Sequence, residues 1–325
     1  NRLIDRCGTD DLVSYFDMFD PAMAAVKRVK PFEPDFTRYY TEDEVVEGSN
    51  FDRFGVLHQP GSCYHFTHKV SPLRHARSLD DIEDFPIENV AETHTDEGMK
   101  EAVDAAHAEG RAAICWVGHM YENAWQIRDY EEFLVDLVTQ PEWADSILER
   151  LCLNNIFKVE AAARAGCDAI FTGDDVANQN ALMFPPDIWR EHIKSRWARV
   201  YAAARAIKPD IEIKYHSDGN IAEIVPELIE IGVTILNPVQ PECVDVNGLK
   251  ERFGDKLVFD GTVGTQSTMP WGDPDEVRRV VKERLDVVGC DGAIIVSPTH
   301  VLEPEVPIEN IEAMFEAVRE YGGAS

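Results

Sequence analysis

A chain of 325 residues, 44% hydrophobic and 28% charged, has the balance of a soluble globular protein long enough to bury a sizeable core. Its 60 acidic against 31 basic side chains give a formal charge of -29, which repels nucleic acid and anionic membranes and argues against both as partners. Anionic small molecules stay open, because one pocket can be locally basic.

The seven cysteines (Cys7, Cys63, Cys115, Cys152, Cys167, Cys243 and Cys290) are scattered, with no C-x-x-C pair. That pattern fits reduced thiols rather than a disulfide framework or a structural zinc site. No apolar run approaches the ~18 residues of a membrane span. No signal-peptide pattern opens the chain. The expectation is a cytoplasmic protein.

In chain order, Leu12, Tyr15, Phe16, Phe19, Met23 and Val26 fall on one helical stripe within 9–30, which Pro31 and Pro34 end. Residues 31–90 are irregular and carry His58, His65, His68 and His75, whose spacing repeats no familiar ligand pattern. Within this segment Asp52 to Val56 reads as a short strand or turn, and Ser78 to Asp84 as a capped acidic helix. A segment of this kind more often covers a site than forms its own core, so 1–90 is expected to be an extension and lid, and 91–325 the body of a single domain.

From about residue 95 short apolar runs alternate with helical segments. The runs are Ala112–Gly118, Ala169–Asp175, Ile211–Asp218, Val233–Gln240, Leu257–Val263 and Ala293–His300, and two further strands are expected before residue 111. The last five end in polar residues. This rhythm predicts a (β/α)8 barrel, whose site is assembled from loops after several strands. A doubly wound sheet is the other candidate, but no Gly-rich phosphate turn follows an early strand.

The densest chemistry is Lys214-Tyr215-His216-Ser217-Asp218-Gly219-Asn220. Residues two apart on a strand share a face, so His216 and Asp218 are expected to project together. Such a pair can bind a metal, shuttle a proton or hold an anion. Asp218 could instead cap the next helix, but Asn220 and Glu223 have capping-box spacing for that role. His216 could equally be a core histidine and His300 a plain loop residue. At Asp174-Asp175 only one carboxylate is expected to face the pocket, as a general base or hydrogen-bonding group; turn capping is the alternative. Gln179, Asn237, Gln240, Thr262 and Gln266 are uncharged groups suited to orienting a ligand, although Asn237-Pro238 is also a turn signal. Glu122, Trp125 and Arg128 are placed to wall the pocket, with core packing the alternative for Trp125.

The runs His216-Ser217-Asp218-Gly219, Leu236-Asn237-Pro238-Val239-Gln240-Pro241, Gly261-Thr262 and Pro298-Thr299-His300 resemble the uroporphyrinogen decarboxylase family in its broad sense. That family includes methyltransferases that work with corrinoid proteins or coenzyme M. The resemblance covers 95–322 well and the front third loosely. It implies a (β/α)8 barrel, a homodimer, an acidic residue of the Asp174-Asp175 pair at the substrate site, and one of two chemistries. The decarboxylase branch implies an arginine-bearing N-terminal run to grip carboxylates, and the front of this chain has none. The methyltransferase branch implies His-x-Cys and a later Cys around zinc. The matching positions here are His216, Asp218 and His300, which keeps a ligand set for zinc, or for iron or manganese, but not the thiolates. The resemblance thus implies metal-dependent methyl transfer or demethylation of a small substrate, with a corrinoid protein or thiol as acceptor. The alternative is metal-free decarboxylation of a carboxylated pyrrolic or aromatic compound.

Overall fold

The apolar runs form one parallel sheet. The computed structural model describes residues 2–63 and 66–323. Seven strands lie side by side in sequence order: β1 (Ala22–Ala24), β2 (Ala113–His119), β3 (Ala169–Gly173), β4 (Glu212–His216), β5 (Ile235–Asn237), β6 (Val258–Asp260) and β7 (Ile294–Ile295). Each neighbouring pair is parallel. The longer helices are α1 (Met99–Ala108), α2 (Tyr121–Arg128), α3 (Tyr130–Thr139), α4 (Pro141–Ala165), α5 (Ser195–Ile207), α6 (Val225–Ile231), α7 (Val246–Phe253), α8 (Pro274–Glu283) and α9 (Ile308–Tyr321). This is the wall of a (β/α)8 barrel. Among the described residues the pairing runs from β1 to β7 with no ladder joining those two edges.

Alternation along β4 shows how the wall is oriented. Ile213 and Tyr215 are fully buried, and Tyr215 meets the Trp197 ring of α5 edge-on at 6.4 Å. Lys214 and His216 take the opposite face, where the Lys214 ammonium lies 4.3 Å from the centre of the Phe171 ring of β3. The helix layer outside is apolar and dense, with Trp189, Trp197 and Tyr201 among its largest fully buried side chains.

Three expectations need correction. The stripe over 9–30 is not one helix. A helix at Leu12–Phe16 stops at Asp17 in a left-handed conformation, Pro21 follows, and Ala22–Ala24 pairs with Ala113–Cys115 as β1. Tyr15, Phe19 and Met23 are exposed rather than packed on a common face. Of the two strands expected before residue 111, only β1 joins the main sheet among the described residues. Finally, Asn220 and Glu223 cap no helix: α6 starts at Val225 with Pro226 in its first turn, and the Asn220 side chain accepts from the Ala222 N–H instead.

Elsewhere the front of the chain behaves as read. Ser78 and Asp81 form a capping box on Leu79–Glu83, and Asp52 ties a turn by accepting from the Phe54 and Val56 N–H groups. That turn joins the first two strands of an antiparallel sheet made of Asn50–Phe51, Leu57–Cys63 and Phe66–Val70. Among the described residues, no helix is long and apolar enough to cross a membrane.

Candidate active site

The loops after β3 to β7 enclose a pocket of about 420 Å³ at the C-terminal ends of the strands, the end where barrels of this class place their chemistry. Asp218, Gln179, Gln240, Gln266 and His300 all border it. Gln179 donates to Gln266 Oε1 at 2.7 Å, and buried Gln240 accepts from the Gly219 N–H at 3.2 Å.

Beside this pocket Asp175, His216 and Asp218 each offer a ligand atom, all within 4.8 Å of one another. His216 Nε2 lies 3.6 Å from Asp175 Oδ1 and 4.0 Å from Asp218 Oδ1. Both separations are too long for hydrogen bonds and close to the about 3.3 Å between ligands on a tetrahedral ion. His216 Nδ1 meets Asn237 Oδ1 at 2.8 Å. An amide oxygen can only accept, so this contact puts a proton on Nδ1 and turns the Nε2 lone pair toward the carboxylates. Asp175 Oδ1 also accepts from the Asp218 N–H at 2.7 Å, which fixes the two acids relative to each other. Burial, and then Glu122, raise the Asp175 pKa.

A second group, His119, Glu122 and Asp174, also brings three ligand atoms within 4.8 Å of one another. His119 Nδ1 lies 2.5 Å from Glu122 Oε2 and 2.9 Å from the Gly173 carbonyl. Burial lowers the His119 pKa, but Glu122, Asp174 and Asp175 outweigh it and leave the value raised. Asp174 is fully buried and accepts from the Met120 N–H (2.7 Å), the Glu122 N–H (3.1 Å) and Trp197 Nε1 (2.8 Å). Burial pushes its carboxyl up to about 7, although all three partners are donors that suit the ionised form. Asp174 therefore joins β3 to the start of α2 and to α5, and it is Asp175 that faces the His216 group. The ring centres of His119 and His216 are 6.4 Å apart, so the two groups adjoin across the mouth.

A model of the uroporphyrinogen decarboxylase (URO-D) family matches residues 54–321. The chain belongs to the URO-D family. A methyltransferase from Methanosarcina mazei has the same fold, with a TM-score of 0.64, 20% sequence identity, and coverage of 83% of this chain and 77% of that one. No curated protein matches.

Within this URO-D barrel, the residues singled out from sequence are not all gathered. His300 is exposed and borders the same pocket as Asp218, but the compact ligand group contains Asp175 in its stead. Trp125 meets Tyr130 edge-on at 5.4 Å and packs against the main core, away from the mouth pocket. Thr262 is fully buried, and its hydroxyl has no hydrogen-bond partner among the described residues. Asn237 touches His216 directly. His58 pairs with Asp52 at 3.3 Å, His68 and His75 are exposed, and His65 lies outside the described residues. His119 is the residue that sequence reasoning missed. It ends β2, so the rule that picked out His216 and Asp218 would have found it had the Ala112–Gly118 run been extended by one residue.

Proposed function

We propose that this URO-D family chain is a metal-dependent methyltransferase or demethylase acting on a small substrate at the barrel mouth, with a corrinoid protein or a thiol as acceptor. The observation that carries this reading is the direction of His216. Its Nδ1 is held by Asn237, and its Nε2 faces two carboxylates across gaps sized for an ion rather than for hydrogen bonds. Asp175, His216 and Asp218 would hold the metal, with zinc the first expectation and iron or manganese the alternatives. When bound, such an ion supplies a Lewis acid with open positions for an acceptor group. His300 stands at the pocket wall, where it can meet the far end of a substrate.

The protein's own groups complete the picture. Gln179, Gln240 and Gln266 present amides for orientation, and Asp174 holds the β2–α2 turn in place. Burial raises the Asp175 pKa, so it takes a proton more readily than an ordinary carboxylate when no cation faces it. The name of the Methanosarcina mazei neighbour is consistent with methyl transfer. The family's decarboxylases supply the alternative, in which Asp175 would protonate or stabilise a pyrrolic or aromatic intermediate without metal.

Elemental analysis of protein purified without chelator tests the reading. We expect close to one equivalent of zinc, iron or manganese per chain, and none in His216→Ala. A wild type free of all three metals, or a His216→Ala protein that holds as much, would sink it. Methyl transfer to a corrinoid protein against carbon dioxide release from candidate acids then separates the two chemistries.

A further inference from the structure

On the β2 side of the mouth the chemistry has the opposite sign. Gly118, with φ +107, carries no side chain, and the space its Cβ would occupy is ringed by nitrogen donors. Arg53 Nη2 lies 3.9 Å from that point, and Lys158 Nζ and Trp116 Nε1 each lie 4.0 Å from it. Arg53 comes from the turn between the first two strands of the antiparallel sheet, Lys158 from α4, and Trp116 from the inner face of β2.

Among the described residues these donors have fewer acceptors than protons. Lys158 Nζ donates to the Val117 carbonyl at 2.7 Å, which uses one of its three protons. The Arg53 guanidinium lies over the Phe54 ring at 4.6 Å and has no ion-pair partner among the described residues. The acid bordering this region, Glu88, is already taken by a two-point pair with Arg28 at 2.6 and 2.9 Å and by the Thr93 hydroxyl. Glu88 is thus committed to Arg28, and Arg53 and Lys158 make no ion pair of their own among the described residues, in a chain whose formal charge is -29. Burial and the neighbouring Arg53 push the Lys158 pKa down to about 8, as expected for an ammonium held without a counter-ion. Beneath them is a cavity of about 20 Å³, bordered by Arg53, Lys158, His119 and Asn155. Asn155 is 3% exposed, and its amide Nδ2 has no hydrogen-bond partner among the described residues. Buried donors of this kind are costly unless something accepts from them.

We propose that Arg53, Lys158, Trp116 and the bare face of Gly118 form an oxyanion subsite that binds a carboxylate, sulfonate or phosphate group of the substrate. The assignment rests on reading the barrel mouth as an active site, and it adds the substrate class: a small anion whose charged end docks at β2. The Trp116 and His119 rings are 5.2 Å apart and those of His119 and His216 6.4 Å, so a small molecule held at Gly118 extends toward His216.

The indole N–H of Trp116 reports on the subsite directly. Nitrogen-15 spectra of the full chain, with that resonance assigned through Trp116→Phe, are followed while inorganic sulfate, inorganic phosphate and acetate are added separately. We expect a saturable shift with at least one of them. Sulfate or phosphate would mark a tetrahedral oxyanion, and acetate a carboxylate. Arg53→Gln and Lys158→Met should each weaken binding by about tenfold, the usual size for one charge-assisted hydrogen bond. Gly118→Ala should abolish it by filling the cradle. Arg53 lies on an exposed turn, so its variant decides the matter even if Lys158→Met fails to fold. No saturable shift in the wild type, or unchanged affinity in Arg53→Gln, overturns the proposal. Metal content measured on the same samples tests the Asp175–His216–Asp218 reading separately, so either can fail alone.

Discussion

The two rims of the barrel mouth are built by opposite rules. Around β3 and β4, Asp175, Asp218 and His216 come from strand ends, and backbone and amide contacts hold them so that their lone pairs converge. Around β2, Arg53, Lys158 and Trp116 come from a turn, a helix and a strand, and donors surround a missing side chain. The first rim suits a cation and the second an anion. Together they describe a site that would grip a substrate at its charged end and present its other end to the His216 group.

Asp174 joins these rims, and removing it should have the largest effect on the scaffold. Its carboxylate sits at the end of β3, but its donors belong to the β2–α2 turn and to α5. Asp174→Ala leaves two buried and one part-buried N–H group without an acceptor and should cost about 3–5 kcal/mol, given about 1–3 kcal/mol per orphaned group and incomplete additivity. Denaturant unfolding checks this. A loss below about 1 kcal/mol would mean that the rims are held by other contacts.

Next in size is Asn237, which acts on the cation rim alone. Asn237→Leu removes the acceptor that orients His216 and should weaken metal binding by about 10- to 100-fold, as losses of outer-shell partners do. Anion binding at Gly118 should stay unchanged. Equal losses at both sites would show that the rims are not independent.

The contrast between the rims also sets what the sequence could show. His216 and Asp218 were legible because a strand carries its own geometry: two residues apart means one face. The polar strand ends likewise announced the barrel. Asp175 as the third member was not legible, because its partnership depends on where the β3 and β4 ends meet, and a strand's register is invisible in a single chain. The β2 rim was harder still. Arg53 and Lys158 are 105 positions apart in the chain, and a glycine gives no sign that its empty face is a cradle. At the front, Ala22–Ala24 is too short to show an alternation, and Met23 fell in step with the louder aromatic spacing that suggested a helix.

The smallest expected effect belongs to His119, which stands between the rims and should respond to pH. Burial lowers its pKa, but Glu122, Asp174 and Asp175 together hold it above the ordinary value near 6.5. A histidine raised on folding adds stability that is complete below its unfolded value and is lost as pH rises through its folded value. Asp174 and Asp175, also raised, slope the same way, so the informative quantity is the difference between wild type and His119→Gln. That difference should be largest at pH 6 and shrink toward pH 8, by about 1 kcal/mol or less for a partly buried pair. Thermal melts across this range measure it. A difference that stays constant would mean that His119 does not gain its proton on folding, and that the carboxylates around it are balanced by something else.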